Sequence, residues 1–565
     1  MIVDALALAH DTTLTGEVVV VGAGPAGIVT ALELGAAGID VILLESGRWK
    51  PDPRVQRLGE AVLVDERRHS PSSITTRRQI GGTSVIWGGR CVPFDPIDFD
   101  RREYVPDARW PVGYDEVRPY FQRACDWLGC GRAVFEAAAV PALQHSALVP
   151  GLPDGAVRTS TLERWSLPTD FGREYRRQLR ESLRVRLVSP VTCTEIVCDE
   201  ADPRVRHLTT RALDGRRITV RGRRYVLACG GLETTRLLLA SRAPSGRPVG
   251  DHSGHLGRWY MAHVEGGVAR VRFGTPARAT QYGYARDIDG VYIRRRISFA
   301  REYLQEQRLP NVVGWLANPE LPDPQHRSGP LSFAYLALAS PAGRWFAPEA
   351  QRRSLTGDHI PGAPYGIARK GPARAHVGNL VHDLGPTLRF VAGFGVHRFL
   401  AHRRAPGFFV YSPTNTYPLQ YHGEHLPNRN SRVTLTEERD PLGMRKLRID
   451  LRFSQADVDG VMRAHECWDA YLRVHSVGSL EYFSDDVTAD VWERIGGGFH
   501  QSGTTRMSDR AEDGVVDADL AVHGFEDLFV ASSSTFVTSS QANSTFMIVV
   551  FALRLVDHLK RLGDT

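Results

Sequence analysis

The chain has 565 residues, of which 42% are hydrophobic and 24% charged, a composition typical of a soluble globular protein with more than one domain. Its net charge of +6 comes mostly from arginine, and glutamates interrupt the basic stretch from 173 to 186, so we expect no nucleic-acid partner. The apolar run from 546 to 553 is far shorter than the roughly 20 residues of a membrane span. Because the N-terminus also lacks the positive cluster and cleavage site of a signal peptide, we expect a cytoplasmic protein with no membrane partner.

The seven cysteines form no pattern typical of disulfides or metal ligands. Their number is odd, and the two pairs that lie close in sequence, Cys125 with Cys130 and Cys193 with Cys198, have no histidines at the distance of a zinc finger. We therefore predict no metal site.

A strand, a glycine turn and a helix open the chain. Residues 18 to 21, VVVV, are predicted to form a buried strand, and residues 25 to 37 a helix. Gly22, Gly24 and Gly27 form the pattern G-x-G-x-x-G, in which the first glycine permits the tight turn, the second lets the backbone approach a pyrophosphate and the third lets helix and strand pack closely. The positive end of the helix dipole then faces the phosphates, so the segment predicts a dinucleotide site.

An acidic residue supports this interpretation. The next predicted strand, residues 40 to 44, ends at Glu45, which follows Gly27 by about the 20 residues expected of a carboxylate that binds a ribose diol. The fingerprint does not separate FAD from NAD. A flavin monooxygenase and an NAD-dependent dehydrogenase would both share it.

Two further glycine-rich segments follow. Residues 80 to 90, IGGTSVIWGGR, offer a backbone that can lie flat against a planar ligand, since glycine has no Cβ. Residues 223 to 241, RRYVLACGGLETTRLLLAS, read as another strand, glycine turn and helix. Together they predict a nucleotide-binding domain built from noncontiguous pieces of chain.

Near the C-terminus, residues 496 to 517, GGGFHQSGTTRMSDRAEDGVVD, have neither strand nor helix periodicity and are predicted to be a loop that contains His500. A lone histidine is more often structural than catalytic. Asn543 lies farther on, immediately before a predicted helix that begins STFMIVV, so a helix N-cap is one interpretation of this residue.

Five motifs follow one another from about residue 17 to the C-terminus: VVVVGAGPAG, GGTSVIWGG, VLACGGLETTRLLLAS, PNRNSRVTL, and HQSGTTRM with the late QANSTFMIVV. In this order they resemble the motifs of the glucose-methanol-choline (GMC) oxidoreductase family. The resemblance implies an α/β fold with a Rossmann-type FAD-binding domain and an α+β substrate-binding domain that has an antiparallel sheet. We place the FAD-binding domain at 1–98, 180–262 and 496–565, a helical or lid connection at 99–179, and the substrate-binding domain at 263–495.

The resemblance also implies the functional residues. His500 of the H-x-x-G-T motif would take the hydroxyl proton of an alcohol, and Asn543 would hold the same oxygen. A neutral imidazole has a pKa near 6.5, which suits this task, and an amide can polarise the hydroxyl. The residues expected to bind FAD are Gly22, Gly24, Pro25, Ala26, Gly27, Glu45, Gly82, Thr83, Ser84, Trp87, Gly88, Val191, Ser534 and Thr545.

Two departures from the family pattern stand out. Ser544 takes the place of the proline that usually follows the second catalytic residue, so the backbone there is less constrained. Covalently flavinylated members carry a histidine close to the glycine loop, and no histidine lies between Gly81 and Asp100. We therefore expect FAD to be bound noncovalently.

The substrate is expected to be a small-molecule alcohol that loses hydride to the flavin. The motifs favour a sugar, cyclitol or glycoside; a hydrophobic natural-product alcohol is the alternative, and a non-redox lyase that retains its flavin is a further one. The segment 263–494 should form a sheet and lid over the flavin, and most of its aromatic residues are expected in the core. These are Trp315, Phe333, Tyr335, Trp345, Phe346, Phe408, Phe409, Tyr411 and Tyr417.

Overall fold

The computed structural model of the protein describes residues 1–199, 203–362 and 370–563. Its strands are β1 (Ile2–Asp4), β2 (Thr12–Thr15), β3 (Val18–Val21), β4 (Val41–Leu44), β5 (Ala61–Leu63), β6 (Arg90–Cys91), β7 (Val157–Arg158), β8 (Leu162–Trp165), β9 (Val185–Ser189), β10 (Thr192–Cys198), β11 (Val205–Arg211), β12 (Arg217–Arg221), β13 (Arg224–Leu227), β14 (His263–Phe273), β15 (Ala285–Arg286), β16 (Tyr292–Arg295), β17 (Ser298–Phe299), β18 (Val312–Leu316), β19 (Thr416–Glu424), β20 (Arg432–Arg439), β21 (Arg445–Asp450), β22 (Gly478–Tyr482) and β23 (Leu528–Val530).

The α-helices are α1 (Pro25–Ala36), α2 (Pro53–Arg57), α3 (Ser72–Thr75), α4 (Pro96–Phe99), α5 (Tyr114–Val117), α6 (Phe121–Leu128), α7 (Phe171–Glu174), α8 (Arg176–Glu181), α9 (Gly231–Ala240), α10 (Arg301–Glu306), α11 (Gly329–Ala339), α12 (Glu349–Leu355), α13 (Ala373–His382), α14 (Leu384–Gly395), α15 (Gln455–Val474), α16 (Val487–Arg494) and α17 (Thr545–Gly563). Within the described ranges, none of these helices is both long and apolar enough to cross a membrane.

A parallel sheet forms the first layer of the fold. Its strand order is β1-β9-β4-β3-β13-β23, so strands from the two ends of the chain and from its middle lie side by side. All residues of β3 and β4 are buried, and their valines, isoleucine and leucines suit a strand that has no solvent face. Helices α1 and α17 contact each other over this sheet. The expected α/β class with a noncontiguous Rossmann-type sheet is confirmed.

An antiparallel sheet forms the second large layer, in the order β18-β19-β14-β22. The long strands β14 and β19 are at its centre, with Glu265 directly opposite His422. One face of this sheet packs against α15 and α16 through apolar side chains that include Trp468, Leu472 and Val491. Its other face presents polar side chains toward the loop that contains His500, so this sheet positions the site. The expected antiparallel substrate-domain sheet is confirmed.

Four helices and a π-helical turn lie above the second sheet. We call this group the helical cap: α11, α12, α13, α14 and the turn Val396–Leu400. Helix α11 is its buried member, and α13 and α14 pack against it. Segment 99–179 instead combines short helices with β7 and β8, and it reaches the large cavity described below only through Trp165.

Candidate active site

The glycine turn after β3 forms one wall of a narrow groove. Gly22 has a φ of 104°, and a Cβ there would lie 2.5 Å from the carbonyl oxygen of Ala228, so only glycine fits. A Cβ on Gly27 would lie 1.8 Å from the carbonyl oxygen of Gly22, which explains the close approach of α1 to the turn. Gly24, Pro25 and Ala26 line the groove, and α1 begins at Pro25.

Glu45 lies in this groove at the end of β4. Its carboxylate accepts hydrogen bonds from the backbone N–H groups of Ala23 and Gly47, at 2.9 and 2.8 Å. Burial raises the pKa of Glu45, while these hydrogen bonds and the nearby Arg78 oppose the rise. Each carboxylate oxygen keeps a second lone pair, so the group can still accept a hydrogen bond from a ligand hydroxyl.

The opposite wall comes from the second glycine segment and from the residue after β9. The groove is lined on this side by five residues that are expected to bind FAD: Gly82, Thr83, Ser84, Trp87 and Val191. The indole N–H of Trp87 donates to the carbonyl of Thr169 at 2.8 Å, which fixes the orientation of the ring.

Three further predicted residues lie in different positions. Thr545, the first residue of α17, lines the groove, so the positive end of this helix faces it. Gly88 lines the neighbouring large cavity. Ser534 is fully buried and accepts a hydrogen bond from Thr505, while its neighbours Ser532 and Ser533 line the groove.

A cavity of about 730 Å³ adjoins the groove. The two spaces share a set of lining residues: Thr75, Arg77, Thr83, Trp87, Phe499, His500 and Thr545. Asn543 lines the cavity beside them. The two predicted catalytic residues therefore lie where the groove and the cavity meet, which is where a flavin ring would meet a substrate.

His500 and Asn543 are direct neighbours although 43 residues separate them. The side-chain nitrogen Nδ2 of Asn543 lies 2.8 Å from Nε2 of His500. The side-chain oxygen Oδ1 of Asn543 is buried and has no hydrogen-bond partner, so Asn543 does not cap α17 through its side chain. In the free site the two side chains bond to each other, and Oδ1 of Asn543 remains for a ligand.

A chain of hydrogen bonds fixes the tautomer of His500. Nε2 of His263 lies 3.1 Å from the carbonyl oxygen of Ser539, which can only accept, so Nε2 of His263 carries the proton. Burial lowers the pKa of His263 well below its usual value, and its Nδ1 is then an acceptor. Because Nδ1 of His500 lies 3.0 Å from it, Nδ1 of His500 carries the proton and Nε2 keeps its lone pair.

His422 and Glu265 complete the inner end of the cavity. Nδ1 of His422 donates to the carbonyl of Gln541, and its ring stacks on His263 with centroids 4.1 Å apart. The carboxylate of Glu265 lies 3.7 Å from Nε2 of His422, and no described residue hydrogen-bonds to it, although Glu265 is only 7% exposed. Burial raises the pKa of Glu265 to about 8, while the Arg90 cation opposes the rise.

The sequence analysis did not identify His263, Glu265 or His422. The only local signal is the alternation HVE at 263–265, which places His263 and Glu265 on one face of β14. Strand β19, which carries His422, lies about 150 residues away, and its register with β14 was not predictable. The nitrogens of the three histidines lie within 4.8 Å of one another, and the hydrogen bond between His263 and His500 accounts for their closest approach.

The charges around His500 favour its neutral form. Burial, followed by the nearby Arg90 cation, lowers the pKa of His500 to about 4. Arg90 is itself paired with the buried carboxylate of Glu163, and its guanidinium lies over the ring of Trp315 at 4.9 Å. At neutral pH His500 can therefore accept a proton.

The loop that ends at Asn543 is held by buried polar contacts. The hydroxyl of Ser540 donates to Asp98 at 2.6 Å, and the side-chain amide of Gln541 donates to Asp95 at 2.8 Å. Burial, followed by the charges of Asp95 and Glu424, raises the pKa of Asp98 to about 8. These contacts hold the segment immediately before Asn543.

Three observations indicate that FAD can bind here. A Cβ on Gly24 would meet no atom closer than 3.9 Å, so the turn leaves space where a pyrophosphate would lie. Glu45 stands at the expected ribose position, and the N-terminus of α17 faces the groove. Asn543 Oδ1, a buried acceptor without a partner, points to a donor that a bound group would supply.

Comparisons with known proteins agree with this arrangement. A family model described as GMC oxidoreductase matches residues 427–552, and one described as FAD binding domain matches residues 15–57. Paromamine 6'-oxidase of Streptomyces fradiae is 30% identical over 44% of this chain and 54% of its own length. The 6'''-hydroxyparomomycin C oxidase of Streptomyces lividus is 28% identical over 43% and 53%. The chain thus spans about half the length of the curated relatives it matches.

Solved structures share the fold along almost the whole chain. Pyridoxine 4-oxidase from Mesorbium loti is 16% identical, with a TM-score of 0.56, and the match covers 96% of this chain and 99% of that one. A fungal aryl-alcohol oxidase is 14% identical, with a TM-score of 0.54, and the match covers 99% and 100%. Since the first family model includes both His500 and Asn543 and the second includes the G-x-G-x-x-G turn and Glu45, the chain belongs to the GMC oxidoreductase family.

Proposed function

We propose that the protein oxidises an alcohol to a carbonyl compound with FAD, and that His500 is the general base. The observation that carries this proposal is the position of His500. Its unprotonated nitrogen Nε2 lies at the junction of the groove and the cavity. A flavin monooxygenase or an NAD-dependent dehydrogenase would not require this pairing of His500 with Asn543.

Each residue of the proposed site has a separate role in the reaction. The substrate hydroxyl takes the place of the 2.8 Å hydrogen bond between His500 Nε2 and Asn543 Nδ2, and the two side chains must move apart to admit its oxygen. His500 accepts the hydroxyl proton, and Asn543 donates a hydrogen bond to the oxygen as negative charge develops there. FAD, when bound, supplies the acceptor for the hydride that leaves the carbinol carbon. His263 keeps the proton of His500 on Nδ1, away from the substrate.

FAD is held noncovalently in this proposal. The groove offers backbone N–H groups, a helix N-terminus and the Glu45 carboxylate, which are the contacts of a tightly but reversibly bound dinucleotide. The glycine segment that faces the flavin position contains no histidine from Gly81 to Asp100.

The substrate is proposed to be an alcohol on a sugar, cyclitol or glycoside. The inner end of the cavity is polar, with Glu265, Arg90 and Gln420 among its lining residues. Glu265 can accept hydrogen bonds from hydroxyl groups or pair with a substrate ammonium, since no described residue satisfies it. Two relatives are named as oxidases of paromamine and of 6'''-hydroxyparomomycin C, and these names support this class of substrate.

The outer end of the cavity favours a second candidate, a hydrophobic alcohol. Its walls are aromatic: Phe333, Phe346, Phe390, Phe394, Phe399 and Phe408. Such walls suit an apolar scaffold that extends away from the reacting hydroxyl. A glycoside with an apolar aglycone would satisfy both ends of the cavity.

Anaerobic mixing with candidate alcohols tests the proposal. The expected result is loss of flavin absorbance by a polyol or glycoside without NAD(P)H, and formation of the matching aldehyde or ketone. Loss of absorbance only with NAD(P)H would contradict it, and so would product release while the flavin stays oxidised, which would indicate a lyase.

A further inference from the structure

The helical cap exposes an unusual amount of apolar surface. Among the described residues, half of the exposed large hydrophobic side chains lie between 333 and 411, about a seventh of the chain: Phe333, Trp345, Phe346, Val377, Val381, Leu384, Leu388, Val396, Phe399, Leu400 and Tyr411. Four of them, Val377, Val381, Leu384 and Leu388, follow one another at helical spacing along α13 and α14 and are 50 to 74% exposed. We call the exposed side of α13, α14 and the turn Val396–Leu400 the cap face. A patch of this kind marks an interaction site.

The helical cap also carries an excess of positive charge. Between residues 321 and 411 the sequence has eleven Arg or Lys and four Asp or Glu, whereas the whole chain has a net charge of only +6. Helices α13 and α14 contain no acidic residue, and Asp383, which lies between them, accepts a hydrogen bond from the backbone of Gly329. Arg374 and Arg389 are exposed, and no carboxylate of the described part of the chain pairs with them. The cap face therefore combines apolar side chains with unpaired positive charge.

Glycines add a third feature. Gly378, Gly385, Gly393 and Gly395 lie on the cap helices, and a Cβ at any of them would meet no atom within 4 Å. Packing inside the protein thus does not require them, although each costs about 1 kcal/mol of helix stability relative to alanine in water. No packing contact of the described chain at these four positions offsets that cost.

The cavity opens beside the cap face. Phe333, Phe346 and Phe399 line the cavity and are also 37 to 46% exposed, and the rings of Phe346 and Phe399 pack edge to face, with centroids 5.8 Å apart. Val396 and Leu400 belong to the same π-helical turn as Phe399. The route from the surface to the cavity therefore passes the exposed aromatic rim.

We propose that the cap face docks on the surface of a bilayer that contains anionic lipids. An interfacial site of this type needs apolar side chains that enter the acyl boundary and basic residues that meet the headgroups, and the cap face has both. A second copy of this chain fits less well, because a symmetric contact through the same face would bring Arg374 and Arg389 of both copies into one interface, where the described residues of the cap face offer no carboxylate that already pairs with them. Docking would place the aromatic rim at the membrane, where amphiphilic molecules accumulate. The expectation of no membrane partner rested on the lack of a spanning segment, which peripheral docking does not need.

Vesicle co-sedimentation tests this proposal on the full chain with its FAD. The vesicles are phosphatidylcholine alone and phosphatidylcholine mixed with phosphatidylglycerol, each at low and high salt. The protein should sediment with the anionic vesicles, and high salt should weaken this binding. Leu384→Glu together with Leu388→Glu should lower the partition coefficient roughly a hundredfold, since two leucines would no longer enter the lipid. Arg374→Gln with Arg389→Gln should lower it roughly thirtyfold on anionic vesicles only.

Leu183→Glu is the matched control, because Leu183 is 93% exposed and lies outside the cap, so this variant should bind vesicles as the natural sequence does. Flavin absorbance and the thermal unfolding midpoint establish that every variant is folded, independently of any activity. Lack of vesicle binding by the natural sequence overturns the proposal, and so does undiminished binding by the double leucine variant. A dimer in analytical ultracentrifugation that the leucine substitutions dissociate, without vesicle binding, would instead assign the face to a second copy.

Discussion

Nδ1 of His263 lies 3.0 Å from Nδ1 of His500, and the opposite nitrogen of His263 donates to the carbonyl of Ser539. This arrangement leaves only one consistent set of protons, in which Nε2 of His500 is unprotonated. His263 is thus a positioning residue, which sets the tautomer of the proposed base without a contact to the alcohol.

Replacement of His263 should slow the reaction without loss of the cofactor. In His263→Ala the imidazole of His500 can place its proton on either nitrogen, so we expect flavin reduction to slow by roughly ten- to a hundredfold, about 1.4–2.7 kcal/mol. His263→Asn offers a side-chain oxygen as acceptor and should recover part of the rate. The measurement is anaerobic stopped-flow reduction with both variants matched in flavin content. A rate for His263→Ala equal to that of the natural sequence would show that His263 does not position His500.

The pH dependence of flavin reduction should follow the lowered pKa of His500. Because burial and Arg90 lower this pKa to about 4, the base is neutral throughout the neutral range, and the rate should stay level from pH 7 down to about 5. It should fall only as the pH drops toward about 4 and His500 becomes protonated. Burial also lowers the pKa of His69 and of His465 to about 4, so circular dichroism at each pH must show that the protein remains folded. A rate that instead rises through the ordinary imidazole pKa of about 6.5 would contradict this reading of the site.

Glu265→Gln should distinguish substrates that carry an amine from those that do not. With a pKa of about 8, Glu265 is largely protonated at neutral pH in the free site, and a bound ammonium group would favour its charged form. The amide keeps the shape of the side chain but cannot ionise. We expect KM for an amino-substituted alcohol to rise roughly tenfold or more, in line with about 1.5–3 kcal/mol for a hydrogen bond to a charged group, and KM for its hydroxyl analogue to change little. Steady-state kinetics with the matched pair of alcohols measure this. Equal losses with both alcohols would mean that Glu265 has only a structural role.

Acid precipitation should release the flavin. If FAD is held by the groove alone, the supernatant of precipitated protein contains all the yellow colour, and chromatography identifies it as intact FAD. Flavin that stays with the pellet would reveal a covalent bond, and the absence of histidine near the GGTSVIWGG segment would then have been misinterpreted.

The parts of the fold that depend on local sequence were predictable. Buried valine runs and a glycine turn locate β3 and α1 because each residue type acts on its own backbone. The motif around His500 and the position of Asn543 likewise carry their own signal. The pairing of β14 with β19 does not, since the two strands are distant in sequence, and Glu265 and His422 face each other only through that register.

The aromatic residues of segment 263–494 show a second limit of prediction from sequence, which concerns burial. Trp315 and Tyr417 are buried as expected, whereas Trp345 is 72% exposed and Phe346 forms part of the cavity rim. Hydrophobicity alone could not separate these positions, because the cap helices are apolar on their outer side as well as their inner side. The expectation that most of these aromatic residues lie in the core is therefore wrong for the cap.

The rate of flavin reduction in His500→Ala tests the central claim most directly. Measured anaerobically by stopped flow, with flavin content matched by absorbance, the variant should retain FAD and its fold and lose about 10² to 10⁴ in rate, the range for a positioned general base. Asn543→Ala should also be slower, by a smaller factor, because Asn543 orients the hydroxyl but takes no proton. Reduction of the His500 variant at the rate of the natural sequence, with the same alcohol, would contradict the assignment of His500 as the base.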